Sequence, residues 1–173
     1  MILKLPLFIL LFGATSFSDV KPQNDLEYFR QIFHSSKNME DLQKIIDLSP
    51  DASKEFDLQT INAYKAVSET MLAEHTFSVF SKLKHFNNGS KKLDAIIDKS
   101  PNAENRYLRL LVQLNVPRML NYYDMINEDI DFIDQRLNTE ISSIRDKRLF
   151  KETLLEATGD LELQAKIANI KIY

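Results

Sequence analysis

Cysteine and tryptophan are absent from this sequence of 173 residues, which holds only three glycines and five prolines. Without cysteine there is no disulfide framework, no thiolate metal site and no thiol to carry a lipid. A strand-rich fold of this size needs many tight turns, and turns draw on glycine and proline. Their scarcity predicts an all-α fold with no sheet. Gly13, Gly89 and Gly159 stand far apart, so no glycine-rich phosphate loop is present. The apolar run Leu5 to Phe12 is too short to cross a bilayer as a helix, and no second run follows. The formal net charge of −3 argues against nucleic acid as a general partner.

What is there begins with the pattern of an export signal: one cation, Lys4, the apolar run, then small residues suited to a signal peptidase. Ala14 and Ser16 fit a cut before Phe17, and Ser16 and Ser18 fit a cut before Asp19. Residues 1–18 are thus expected to be a signal peptide that is removed, leaving residues 19–173 as a single α-helical domain, periplasmic or secreted. No membrane span is expected in that mature chain. With 44% hydrophobic residues, the sequence can build one continuous core.

A segment of the chain occurs twice. Phe29, His34, Leu42, Ile45, Ile46, Asp47, Ser49, Pro50 and Ala52 recur as Phe80, His85, Leu93, Ile96, Ile97, Asp98, Ser100, Pro101 and Ala103, each pair 51 positions apart (80 − 29 = 51). Repeats of helical units build binding scaffolds. In the first copy, Leu26, Phe29, Ile32 and Phe33 recur at helical spacing, Ser35 to Asn38 break it, and Leu42, Ile45 and Ile46 resume it. In the second, Phe77, Phe80 and Leu83 lead to Asn87, Asn88 and Gly89, where glycine can close a helix, before Leu93, Ile96 and Ile97. This predicts duplicated hairpins over 26–50 and 77–101.

Each copy ends in Ser-Pro, which makes Ser49 and Ser100 the expected N-caps of the helices that follow. The first of those helices carries Ile61, Tyr64, Ser68, Met71, Leu72 and His75 on one face, and the second buries Ala103, Tyr107, Leu110, Leu111 and Leu114 until Pro117 stops it. A long amphipathic helix with Leu120, Tyr123, Ile126, Ile130, Ile133 and Leu137 is expected from Pro117, and a weaker pattern from Thr139 to Ala157 makes it a C-terminal hairpin over 117–157. Gly159 closes that segment, and Asp160 is placed to cap a last helix through Ile170.

The repeated unit resembles the tetratricopeptide repeat. An aromatic on the first helix, a small residue at the start of the second, a large apolar residue a turn later and a proline correspond to Phe80, Gly89, Leu93 and Pro101. The interval exceeds that family's repeat of about 34 residues, which makes the unit three helices rather than two. The stretch from Ala63-Tyr64-Lys65 through Asn102-Ala103-Glu104 and Arg106-Tyr107-Leu108-Arg109 to Pro117 also resembles uncharacterised exported helical proteins of Bacteroidetes. The resemblances imply a helical-hairpin array, either a tetratricopeptide-like α-α superhelix or an irregular α bundle, and bring no activity.

Catalytic patterns are lacking. There is no G-x-S-x-G elbow, no H-E-x-x-H and no E-x-x-H arrangement. His34, His75 and His85 are the only histidines; a metal site would need His75, His85 and Glu74 to converge across a helix break, so no metal and no cofactor are expected. Asp124, Glu128 and Asp131 form an acidic stripe with Asp129 and Asp134 nearby. A turn at Asn138 would pair Asp131 with Arg145 and Glu128 with Arg148 across an antiparallel hairpin. Asn88-Gly89-Ser90 is a sequon, already explained by its expected turn. Arg106, Arg109 and Gln113 form a polar stripe, with Arg118 and Tyr122 just beyond Pro117. Stepped guanidinium groups can grip a carboxylate or phosphate bidentately, so these five residues are the candidate binding surface. The sequence therefore predicts a non-enzymatic exported scaffold that binds a protein, peptide or envelope component. The alternative is a small-molecule or lipid carrier with an internal apolar cavity.

Overall fold

The computed structural model describes residues 25–50 and 55–173, so the expected signal peptide, Ala52 and the helix start expected after Ser49 lie outside the described residues. Within them the protein is all-α, with eight α-helices and no strand. No described helix is long and apolar enough to cross a membrane. The described residues divide into two compact units, the first ending at Ile96 and the second beginning at Ile97.

In the first unit, α1 (Asp25–Ser35) and α2 (Met39–Asp47) form the expected hairpin, and both pack on α3 (Glu55–Met71). The core holds Leu26, Phe29 and Phe33 of α1, Leu42 and Ile45 of α2, and Ile61, Tyr64 and Val67 of α3. Phe33 meets Tyr64 edge to face, with ring centroids 5.0 Å apart. The hairpin turns because its polar residues supply caps. Asn38 accepts from the Asp41 amide at 3.0 Å, and Asp41 reaches back to accept from the Lys37 amide at 2.8 Å. Lys65 of α3 donates to the Leu48 carbonyl just past the end of α2. Of the face expected on α3, Ile61, Tyr64, Ser68 and Leu72 are buried, while His75, in the 3-10 turn Leu72–His75, is exposed.

The second copy of the repeat does not turn. One helix, α4 (Val79–Lys99), runs through Asn87, Asn88 and Gly89 without a break, so the expected hairpin over 77–101 is a single rod. The caps explain the difference. The positions equivalent to Asn38 and Asp41 are Gly89 and Lys92, which offer neither a side-chain acceptor nor a returning carboxylate. Gly89 has no positive φ and serves contact instead. A Cβ placed on it would sit 2.5 Å from the Ala66 carbonyl oxygen and from Thr70 Cγ2, and 2.7 Å from the Thr70 amide nitrogen. The glycine lets α4 lie directly on the backbone of α3. A second tie is the hydrogen bond between His85 Nδ1 and Glu69 Oε1, 2.9 Å apart.

In the second unit, α5 (Ala103–Asn115) is the helix on which both α6 (Ile126–Glu140) and α7 (Ile144–Ala157) pack, and α8 (Leu161–Ala168) packs on α7. Asn102, not Ser100, is the N-cap of α5, accepting from the Asn105 amide at 2.8 Å. The Ser100 carbonyl accepts instead from Asn105 Nδ2. Pro117 ends α5 as expected, but the chain from it makes only a short 3-10 turn, Arg118–Leu120, before the left-handed Asn121. The helix carrying Ile130, Ile133 and Leu137 therefore starts at Ile126 rather than Pro117. Tyr107 of α5 stacks on Phe150 of α7, with centroids 4.3 Å apart. Asp160 caps α8 as expected, accepting from the amides of Glu162 and Leu163. Beyond α8 the tail is strapped to α6: the Lys171 amide donates to Asp134 and the Tyr173 amide to Asn138, at 3.0 and 3.1 Å. Lys147 and Lys151 of α7 donate to tail carbonyls from the other side.

Candidate functional site

Arg106, Arg109 and Gln113 stand at i, i+3 and i+7 of α5, one face of the helix, as their spacing requires. The structure turns that face inward. Arg109 and Gln113 are buried, and the carboxylate they meet, Asp129 in the first turn of α6, is fully buried. Arg109 grips Asp129 bidentately, Nε to Oδ2 at 2.8 Å and Nη2 to Oδ1 at 2.6 Å. Arg106 Nη1 adds a bond to Oδ1 at 2.8 Å, and Gln113 Nε2 one to Oδ2 at 2.9 Å. The other end of the Gln113 amide accepts from the Met125 amide nitrogen at 3.1 Å, so this side chain also pins the chain entering α6. Arg106 reaches on to Glu128 Oε1 at 2.8 Å and lies over the Phe132 ring, 4.9 Å from its centroid.

Two guanidinium groups thus face two carboxylates. A ligand carboxylate or phosphate could take the arginines only by stranding Asp129 as an uncompensated buried charge. The grip that the sequence suggested for a ligand is made on the protein's own α6. The charge pairing expected across the C-terminal hairpin is corrected by the same contacts, because Glu128 reaches Arg106 of α5 rather than Arg148. Arg118 and Tyr122 stand apart from this cluster. Arg118 is exposed and lies over the Tyr123 ring at 5.5 Å from its centroid, and Tyr122 is half-buried.

The histidines do not converge. Among the described residues no group of three His, Asp or Glu side chains could hold a metal ion. His85 is engaged with Glu69, and His34, its counterpart in the repeat, is held down to about 4 by burial, with the Arg30 guanidinium adding to the effect. Unfolding restores the imidazole to its ordinary value near 6.5. As pH falls from about 6.5 towards 4, the unfolded chain takes up a proton that the folded chain refuses. The stabilisation is therefore complete above that window and lost through it. Urea midpoints measured across the window should fall for the wild type and fall less for His34→Gln.

A different surface stands open. Phe77, two residues before α4, is 104% exposed, and Val79, Phe80 and Leu83 at the start of α4 are 72%, 78% and 40% exposed, whereas Phe86, Leu93 and Ile97 further along the same helix are buried. The sequence placed Phe77, Phe80 and Leu83 in a hairpin core. They are bare because the hairpin that would have covered them is not formed. From Thr76 to Lys92 the chain carries Lys82, Lys84, Lys91 and Lys92 and no acidic residue. Phe80, Lys84 and Lys91 share one face of α4, and both lysines are exposed.

The fold defines an all-α protein whose polar cluster is an internal brace and whose open chemistry is an apolar, basic helix edge. No family model, curated protein or solved structure matches the chain.

Proposed function

We propose that the protein is a non-enzymatic exported helical scaffold that binds a component of the cell envelope through the start of α4. The observation that carries this reading is the bare cluster Phe77, Val79, Phe80 and Leu83. Large apolar side chains left fully in water at one place mark an interaction surface. The export signal read at Lys4 to Phe12 supports the envelope as the setting. The cores of both units are filled by large side chains, Phe33 against Tyr64 and Tyr107 against Phe150, which favours a surface binder over a carrier with an internal cavity.

Capture from a detergent-free envelope fraction tests this. The wild type should be retained, and Phe77→Ser, Phe80→Ser should lose most of that retention with unchanged helicity and unfolding midpoint, because neither ring packs inside the fold. Equal retention of both proteins would sink the assignment of this surface.

A further inference from the structure

We infer that the component recognised by the start of α4 is an anionic lipid surface; this rests on the reading of that edge as the binding surface. Two features lie together there. The first is the set of rings and branched side chains, Phe77, Val79, Phe80 and Leu83, standing clear of the fold. The second is charge of one sign: Lys82, Lys84, Lys91 and Lys92 with no Asp or Glu between Thr76 and Lys92, in a chain whose net charge is −3. Among the described residues Lys84 and Lys91 have no carboxylate partner, while Glu74 lies near Lys82 and Glu69 is taken by His85. Lys84 and Lys91 both lie on the Phe80 face.

Aromatic and aliphatic side chains at a helix tip can enter the boundary between headgroups and acyl chains. Lysines one and three turns further on are long enough to lay their stems along that boundary and put their ammonium groups against lipid phosphates. The acid-free stretch matters, because a single carboxylate in it would repel the same phosphates. The faces of α4 fit this division: the apolar tip, Lys84 and Lys91 are exposed, whereas Phe86, Leu93 and Ile97 are buried and hold the helix to the protein.

The test is co-sedimentation of the full chain with vesicles of phosphatidylglycerol and phosphatidylethanolamine, and with vesicles of phosphatidylcholine alone. Binding to the anionic vesicles only is expected, weakened by high salt as the phosphates are screened. Phe77→Ser, Phe80→Ser should weaken it about tenfold or more, as loss of two inserted rings requires. Lys84→Glu, Lys91→Glu should abolish the preference for anionic lipid. Wild type and the Phe variant binding alike, as they would if the apolar run Leu5 to Phe12 did the work, would overturn the inference. So would binding to both vesicle types equally, absence of binding, or a dimer that the Phe variant dissolves. If vesicles fail while envelope capture still depends on Phe77 and Phe80, the lipid inference falls and the scaffold reading stands.

Discussion

Asp129→Ala is expected to lower the unfolding free energy by about 3–5 kcal/mol, the range found when one partner of a buried ion pair is removed. The carboxylate is fully buried and receives four hydrogen bonds, from Arg109 Nε and Nη2, Arg106 Nη1 and Gln113 Nε2. Removing it takes away the carboxylate that the buried Arg109 guanidinium grips bidentately. It also releases the Gln113 amide that holds Met125 at the entry to α6. Glu128, whose side chain is 57% exposed, makes a contrasting control although it bonds the same Arg106. Glu128→Gln should cost about 0–1 kcal/mol, as exposed pairs do. Urea denaturation followed by far-ultraviolet circular dichroism checks both. Similar losses for the two variants would mean that Asp129 is not the centre of the cluster.

Gly89→Ala is the second large effect, and its sign opposes helix propensity. In an open helix, alanine is about 1 kcal/mol better than glycine. Here the added Cβ meets the Ala66 carbonyl oxygen and the Thr70 amide nitrogen, backbone atoms that cannot turn aside, as well as Thr70 Cγ2. Overpacking of this kind costs about 1–3 kcal/mol, and Gly89→Leu should cost more. Thr70→Ser takes away Cγ2 and keeps a hydroxyl able to bond the Val67 carbonyl as Thr70 does now. In the Gly89→Ala background it should therefore recover part of the loss. A turn glycine would show no such rescue, so thermal melts of the three proteins separate close packing from turn formation.

The helical class, the first hairpin, the end of α5 before Pro117 and the cap at Asp160 were legible in composition, spacing and capping chemistry. The second hairpin was misread by analogy with the first. Apolar positions repeat faithfully in both copies, but a turn depends on capping groups, and Asn38 and Asp41 have become Gly89 and Lys92. That substitution is visible in the sequence and is the signal that reading the apolar residues alone passes over. It also decides the site. With a continuous α4, Phe77 and Phe80 change from core to surface, while their counterparts Leu26 and Phe29 stay 4% and 2% exposed.

The arginine stripe was misjudged for a related reason. A polar stripe opposite an apolar one is ordinarily the solvated face of a helix. On α5, however, Leu108 and Val112 are buried as well as Tyr107, Leu110 and Leu111. Apolar residues on most sides mark a helix enclosed by its neighbours, and its remaining polar arc then needs an internal partner. Spacing could not reveal which acid supplies it, because Asp129 comes from a helix whose start was itself set by the irregular turn after Pro117.

Binding at the proposed surface, the start of α4, and binding at the arginine stripe would protect different parts of the chain. Hydrogen–deuterium exchange of the full chain with and without the envelope fraction compares the two surfaces in one experiment. Slowed exchange is expected over residues 77–84, with residues 106–113 unchanged because Arg106, Arg109 and Gln113 are already committed to Asp129 and Glu128. Slowed exchange over 106–122 with 77–84 unaffected would contradict the proposed surface.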